Sequence, residues 1–106
     1  MIADLRYLNS LMGYDPARTE KFIAIYKAEI PGQLDRLFEQ IDSKNFDEVS
    51  ALAHGIKSQS AYLMAEEVVN HARFIELNAV SIKDPGTLIS RANQLREAAQ
   101  KVIGML

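Results

Sequence analysis

The sequence predicts an all-α protein, an up-down-up-down antiparallel four-helix bundle with a short extra helix at the N-terminus. Three observations carry this. Apolar residues recur at steps of three and four along nearly the whole chain, and no segment alternates as a half-buried strand would. The pair Asp-Pro occurs at Asp15-Pro16 and again at Asp84-Pro85, where Asp can cap a helix and Pro suits its first turn. Four long amphipathic segments joined by short loops must run antiparallel to their neighbours.

The elements follow in order. Ile2, Leu5, Leu8 and Met12 outline the short first helix, and Gly13 stops it. After Asp15-Pro16, the stripe Ile23, Tyr26, Ile30, Leu34, Leu37 and Ile41 keeps its phase through Pro31-Gly32. A proline inside a helix removes one hydrogen bond and kinks it, but the unbroken phase predicts one kinked helix over 16–42. Asn45 and Glu48 have the spacing of a capping box for the next helix, whose buried stripe is Val49, Leu52, Ala53, Ile56, Ser60 and Leu63. A turn over 62–65 leads into a helix over 65–80 that buries Val68, Val69, Ala72, Ile75 and Ala79. The last helix carries Leu88, Ala92, Leu95, Ala99, Val102 and Leu106, a spacing close to the heptad of a bundle seam.

Composition narrows the function. The 106 residues suit one domain, spanning 1–106. A formal net charge of −2 is of the wrong sign for nucleic acid or an anionic membrane as the main partner. With no cysteine there is neither a disulfide framework nor a thiolate metal site. No signal-peptide pattern and no membrane-length apolar run is present, so a cytoplasmic protein is expected. All the apolar stripes are used inside the bundle, which predicts a monomer.

One residue stands out against this background. Successive helical residues turn by about 100°, so His54 lies about 160° from Ile56 and faces solvent. Its neighbours on the helix surface are Ser50, Ala51, Lys57 and Ser58, with Ala61 a turn further on and Gly55 beside it. All but Lys57 are small. Glycine inside a helix costs about 1 kcal/mol relative to alanine, so Gly55 needs a reason, and room for an approaching surface is one. A plain surface histidine is the simplest reading of His54. Lys57 favours another. An ammonium one turn away does not help a protonated ring, but it suits a ring carrying a doubly negative group. Neutral imidazole is a nucleophile at physiological pH, and an N-phosphorylated imidazole fits the arrangement.

These residues resemble the histidine-containing phosphotransfer (HPt) domains of multistep two-component signalling. The likeness rests on His54, Ile56, Lys57, Ser58, Ser60, Leu63 and Ala65, followed by Ile75-Glu76 in the next helix, and on the stretch FIAIYKAEIPGQLDRLFEQIDSKNFDEVSALAH that precedes them. It extends over essentially the whole chain. Ser58 and Met64 depart from the family, which often has glycine at both places, and Gln59 replaces a commonly small residue. The resemblance implies that His54 is the phosphoacceptor, through Nε2, and that Lys57 neutralises the phosphoryl charge. Glu76 would hydrogen-bond the other ring nitrogen and orient the imidazole, where otherwise it is a solvated carboxylate at a helix edge. It also implies a carrier rather than an enzyme, taking a phosphoryl group from the aspartyl phosphate of a receiver domain and passing it to another receiver. The partners would be receiver domains of response regulators or hybrid histidine kinases. No cofactor is expected on this chain, Mg²⁺ belonging to the receiver. The docking patch would include Ser50, Ala51, Gly55, Ser58, Ala61 and Tyr62. The sequence has no Gly-rich phosphate-binding loop, so it is not expected to act as a kinase.

A second reading is a degenerate, non-catalytic module that binds a signalling partner without phosphorylation; the intact His54/Lys57 pair argues against it. The other histidine, His71, falls on a stripe with Met64, Val68 and Ile75 and reads as a partly buried structural residue. A metal site shared with His54 is not expected, because the two helix faces point apart.

Overall fold

The computed structural model describes residues 2–106. Five helices follow one another: α1 (Arg6–Leu11), α2 (Pro16–Asp42), α3 (Phe46–Ala61), α4 (Glu66–Ser81) and α5 (Pro85–Met105). α2 packs on α3, α3 on α4, α4 on α5, and α5 returns to α2, which closes the four-helix bundle. The molecule measures 42 × 22 × 20 Å. The long dimension is set by α2, whose 27 residues at about 1.5 Å each span about 40 Å.

The apolar stripes become one continuous core. Tyr26, Ile30, Leu34, Leu37 and Ile41 of α2, Val49, Ala53 and Ile56 of α3, Val68, Ala72, Ile75 and Ala79 of α4, and Leu88, Leu95, Ala99 and Val102 of α5 are all buried. Ile23 and Leu52 sit at its rim, partly buried. Ser60, the one polar member of the predicted α3 stripe, is fully buried and shares a 2.8 Å hydrogen bond with the Tyr26 hydroxyl. That pairing satisfies both hydroxyls inside the core.

α2 continues through Pro31 as a single helix, as the phase of its stripe predicts. Pro31 lies on the exposed side, where the carbonyl that loses its partner can turn to water. Both Asp-Pro signals act as expected: Asp15 accepts from the Ala17 amide at 3.0 Å, and Asp84 accepts from the Thr87 amide at 3.1 Å.

Two local expectations are corrected. Asn45 makes no side-chain capping bond, so the Asn45/Glu48 capping box is not formed. The backbone explains this. Asp15 and Asp84 are extended, with ψ of 109° and 110°, whereas Asn45 has ψ 75°, outside the extended backbone in which a cap side chain meets the first-turn amides. Asp47 and Glu48 still lie in the first turn, where the helix dipole favours negative charge. The first helix is also shorter than its apolar spacing suggests. Asp4 accepts from the Arg6 amide and side chain, a local pattern that competes with helix upstream of Arg6. Ile2 is accordingly exposed. Ala3 is buried instead, and the Asp4 amide donates to the Leu63 carbonyl at 2.9 Å, tying the N-terminal segment to the α3–α4 turn.

That turn contains the Met64 departure. Met64 takes φ 53°, the left-handed region, and Ala65 N–H then reaches back to the Ser60 carbonyl at 3.2 Å. A residue with a Cβ pays roughly 1 kcal/mol there. Met64 is exposed, so its side chain gives little back. Met64→Gly should therefore raise stability by up to about 1 kcal/mol, a gain of a few degrees in Tm measured by circular dichroism. A drop in Tm would show that the methionine side chain contributes more than its exposure implies.

Candidate functional site

The α3–α4 pair sets the site. α3 buries Val49, Ala53, Ile56 and Ser60, which leaves the opposite face outward, and His54 is on it with 61% of its side chain exposed. α4 buries Val68, Ala72, Ile75 and Ala79. Glu76 follows Ile75, so its side chain emerges at the edge of the α3–α4 seam instead of in the core. Antiparallel packing brings Glu76 level with His54.

His54 Nδ1 is 2.7 Å from Glu76 Oε2. Lys57, one turn on from His54, donates to the other carboxylate oxygen, Oε1, at 2.6 Å. Lys57 and Glu76 are both largely covered, their side chains 24% and 20% exposed. Burial pushes the Glu76 carboxyl upward, but the hydrogen bonds from Lys57 and His54 outweigh it and hold the group below its ordinary range. Glu76 is thus ionised at neutral pH and can only accept. The proton of the short contact therefore lies on His54 Nδ1. In the neutral ring this leaves the lone pair on Nε2, which has no hydrogen-bond partner among the described residues.

The other predicted residues fall into two groups. Ala51 and Ala61 are exposed, and Gly55 and Ser58 half-buried, forming a low surface around the imidazole. A Cβ added at Gly55 would meet nothing within 4 Å, so the bundle's own packing does not demand glycine there. Tyr62 is exposed at the helix end, its ring edge-on to Phe22 with centroids 5.7 Å apart. Ser50 is different. Its hydroxyl donates to the Glu76 backbone carbonyl at 3.0 Å, across the seam. It therefore locks the register of α4 against α3 at the level of the site. Gln59 points towards α2, donating to Gln33 Oε1 and to the Gly55 carbonyl, each at 3.2 Å.

Sequence reasoning does not reach the Ser50 and Gln33 contacts, nor the Lys57–Glu76 pair. Each depends on the axial register between two helices, which periodicity leaves open. His71 is largely buried, 16% exposed, with Nε2 3.9 Å from Glu67 and Nδ1 unpaired. Burial, with the nearby Arg91 charge, lowers its pKa and keeps it neutral. No group of three or more potential metal ligands occurs among the described residues. Nor is any described helix long and apolar enough to cross a membrane.

Comparison with known proteins adds a family. The Hpt domain matches residues 21–103, a span that holds all of α3 and α4 and with them His54, Lys57 and Glu76. No curated protein and no solved structure matches the chain. A match over well over half of the chain, on a four-helix bundle with a short N-terminal helix, means that the chain belongs to the Hpt domain family, the phosphoryl carriers of phosphorelays, whose members interact with receiver domains.

Proposed function

We propose that this protein accepts a phosphoryl group on His54 Nε2 from the aspartyl phosphate of a receiver domain and passes it to a second receiver, in a cytoplasmic two-component phosphorelay. One observation carries the reading: an exposed imidazole whose Nδ1 is held by an ionised carboxylate, leaving Nε2 outward and unpaired. Nε2 attacks phosphorus in line while the receiver's carboxylate leaves. Most of the transition-state charge is balanced by the receiver's own Mg²⁺. Here Lys57 adds a positive charge one turn from the acceptor, and Glu76 orients the ring.

Docking uses the low surface of Ser50, Ala51, Gly55, Ser58, Ala61 and Tyr62. Such transient interfaces are small, with an apolar centre and a polar rim. Gly55→Ala separates folding from docking. It should stabilise the bundle by about 1 kcal/mol, since the space beyond the glycine is open. It should also weaken receiver binding, measured by titration calorimetry. Unchanged affinity would remove Gly55 from the docking surface.

The test of the function is transfer itself. The protein is incubated with a radiolabelled phosphorylated receiver and Mg²⁺, quenched in alkali, and examined for label. Label on the small protein is the expected result. Binding to receivers in a pull-down without any label would favour the non-catalytic module.

A further inference from the structure

The docking residues proposed above lie on α3 and just past its end, but His54 leans on Glu76 of α4, so a receiver centred on the ring also covers α4. The seam can be followed away from the ring on both helices. Ala61 stands two turns beyond His54 on the same face of α3, about 10 Å along the axis, and Arg73 stands one turn before Glu76 on α4. There the α3–α4 turn closes an open pocket of about 300 Å³, lined by Ala61, Met64, Glu66, Val69, Asn70 and Arg73. Ala61 is itself part of the docking patch, so the pocket continues that surface.

Met64 is the lining residue that the fold does not explain. Its φ of 53° is one that glycine takes freely, and its side chain is exposed. A lone exposed methionine needs no reason. This one stands in a strained backbone beside Ala61, which is exposed, and Val69, which is only half-buried, so three apolar side chains face one pocket. Methionine is flexible and polarizable, and it moulds itself to apolar partners of varied shape.

The rim carries charge with a direction. Glu66 and Arg73 are seven residues apart on the same outward face of α4, so the pocket is acidic at the turn and basic towards His54. Among the described residues Arg73 makes no ion pair. Its guanidinium donates only to Asn70 Oδ1, at 3.2 Å. A guanidinium fork free of carboxylate is suited to take one from a partner.

We propose that this pocket is where the protein reads its receiver: Met64, Ala61 and Val69 take one apolar side chain of the docked receiver domain, and Arg73 pairs with a receiver carboxylate on the side nearer His54. Glu66 turns away receivers that place the acid at the other end. The pocket thus sets which receivers dock and leaves the chemistry at the ring alone. The inference rests on receivers docking around His54.

The experiment separates docking from chemistry. A receiver domain that wild type captures in a pull-down is titrated calorimetrically against wild type, Met64→Gly, Met64→Leu and Arg73→Glu. His54 is loaded in parallel with phosphoramidate, a small donor that needs no docking, and followed by ³¹P NMR. Met64→Gly should bind the receiver several-fold to about tenfold more weakly while melting no lower than wild type, and Met64→Leu should keep most of the affinity. Arg73→Glu should bind more weakly, and the loss should shrink as salt is raised. Loading by phosphoramidate should be the same in all four proteins. Wild-type affinity in Met64→Gly would overturn the inference, and wild-type affinity in Arg73→Glu would overturn the carboxylate pairing. Weaker binding accompanied by a lower Tm and poorer loading would show a folding effect and overturn it as well. A wild type that takes no phosphoryl group from phosphoramidate or receiver fails the phosphotransfer reading, and the titrations still decide the docking one. A wild type that captures no receiver overturns the inference.

Discussion

His54→Gln leaves the bundle folded and takes up no phosphoryl group. The two halves of this expectation have separate causes. The imidazole is largely exposed and contributes nothing to the buried core, and surface substitutions of this kind usually change stability by less than about 0.5 kcal/mol. Glutamine also offers an N–H to Glu76, so the carboxylate keeps a donor on that side. The chemistry has no such substitute. An amide nitrogen has its lone pair delocalised into the carbonyl and is not a nucleophile, so acceptance should fall below detection. Label transfer and a thermal melt on the same preparation check both halves. Equal label on the variant and on wild type would remove His54 from the mechanism.

Ile56→Ala has the second large effect, on stability. Ile56 is fully buried on the face of α3 opposite His54, in the same core cluster as Ile75 of α4. Removing most of such a side chain costs the lost transfer energy plus a cavity, about 2–5 kcal/mol. A domain of this size has roughly 5–15 kcal/mol in total. The variant should unfold at clearly lower urea with an unchanged slope. The site should suffer with it, since the contact between His54 and Glu76 exists only while α3 and α4 stay in register. A loss below about 1 kcal/mol would mean that Ile56 is not in a closely packed core.

How much of this was legible in the sequence depends on the kind of contact. Periodicity within one helix is a local property, so the stripe of α2 could be followed through Pro31 and the outward aspect of His54 read from Ile56. Caps were legible where Asp precedes Pro, because proline fixes the backbone beside the cap. The Asn45 cap failed for want of that restraint: ψ of 75° is not a value the residue type reveals. Met64 accepts a left-handed backbone that glycine would take without strain, because the turn after α3 is shaped by the helices on either side. Contacts between helices were the least legible. That Glu76 stands beside His54 was implied by family likeness. That Lys57 spends its ammonium on Glu76, and that Ser50 braces the same residue from behind, follow only from the register of α3 on α4.

The most direct measurement is to locate the phosphoryl group. Wild-type protein would be phosphorylated by a receiver domain, digested under alkaline conditions that preserve phosphohistidine, and mapped by mass spectrometry, with ³¹P NMR on the intact protein identifying the ring nitrogen. The account predicts a single phosphoryl group on the peptide containing His54, bonded to Nε2. Modification at another residue, or at Nδ1, would contradict it.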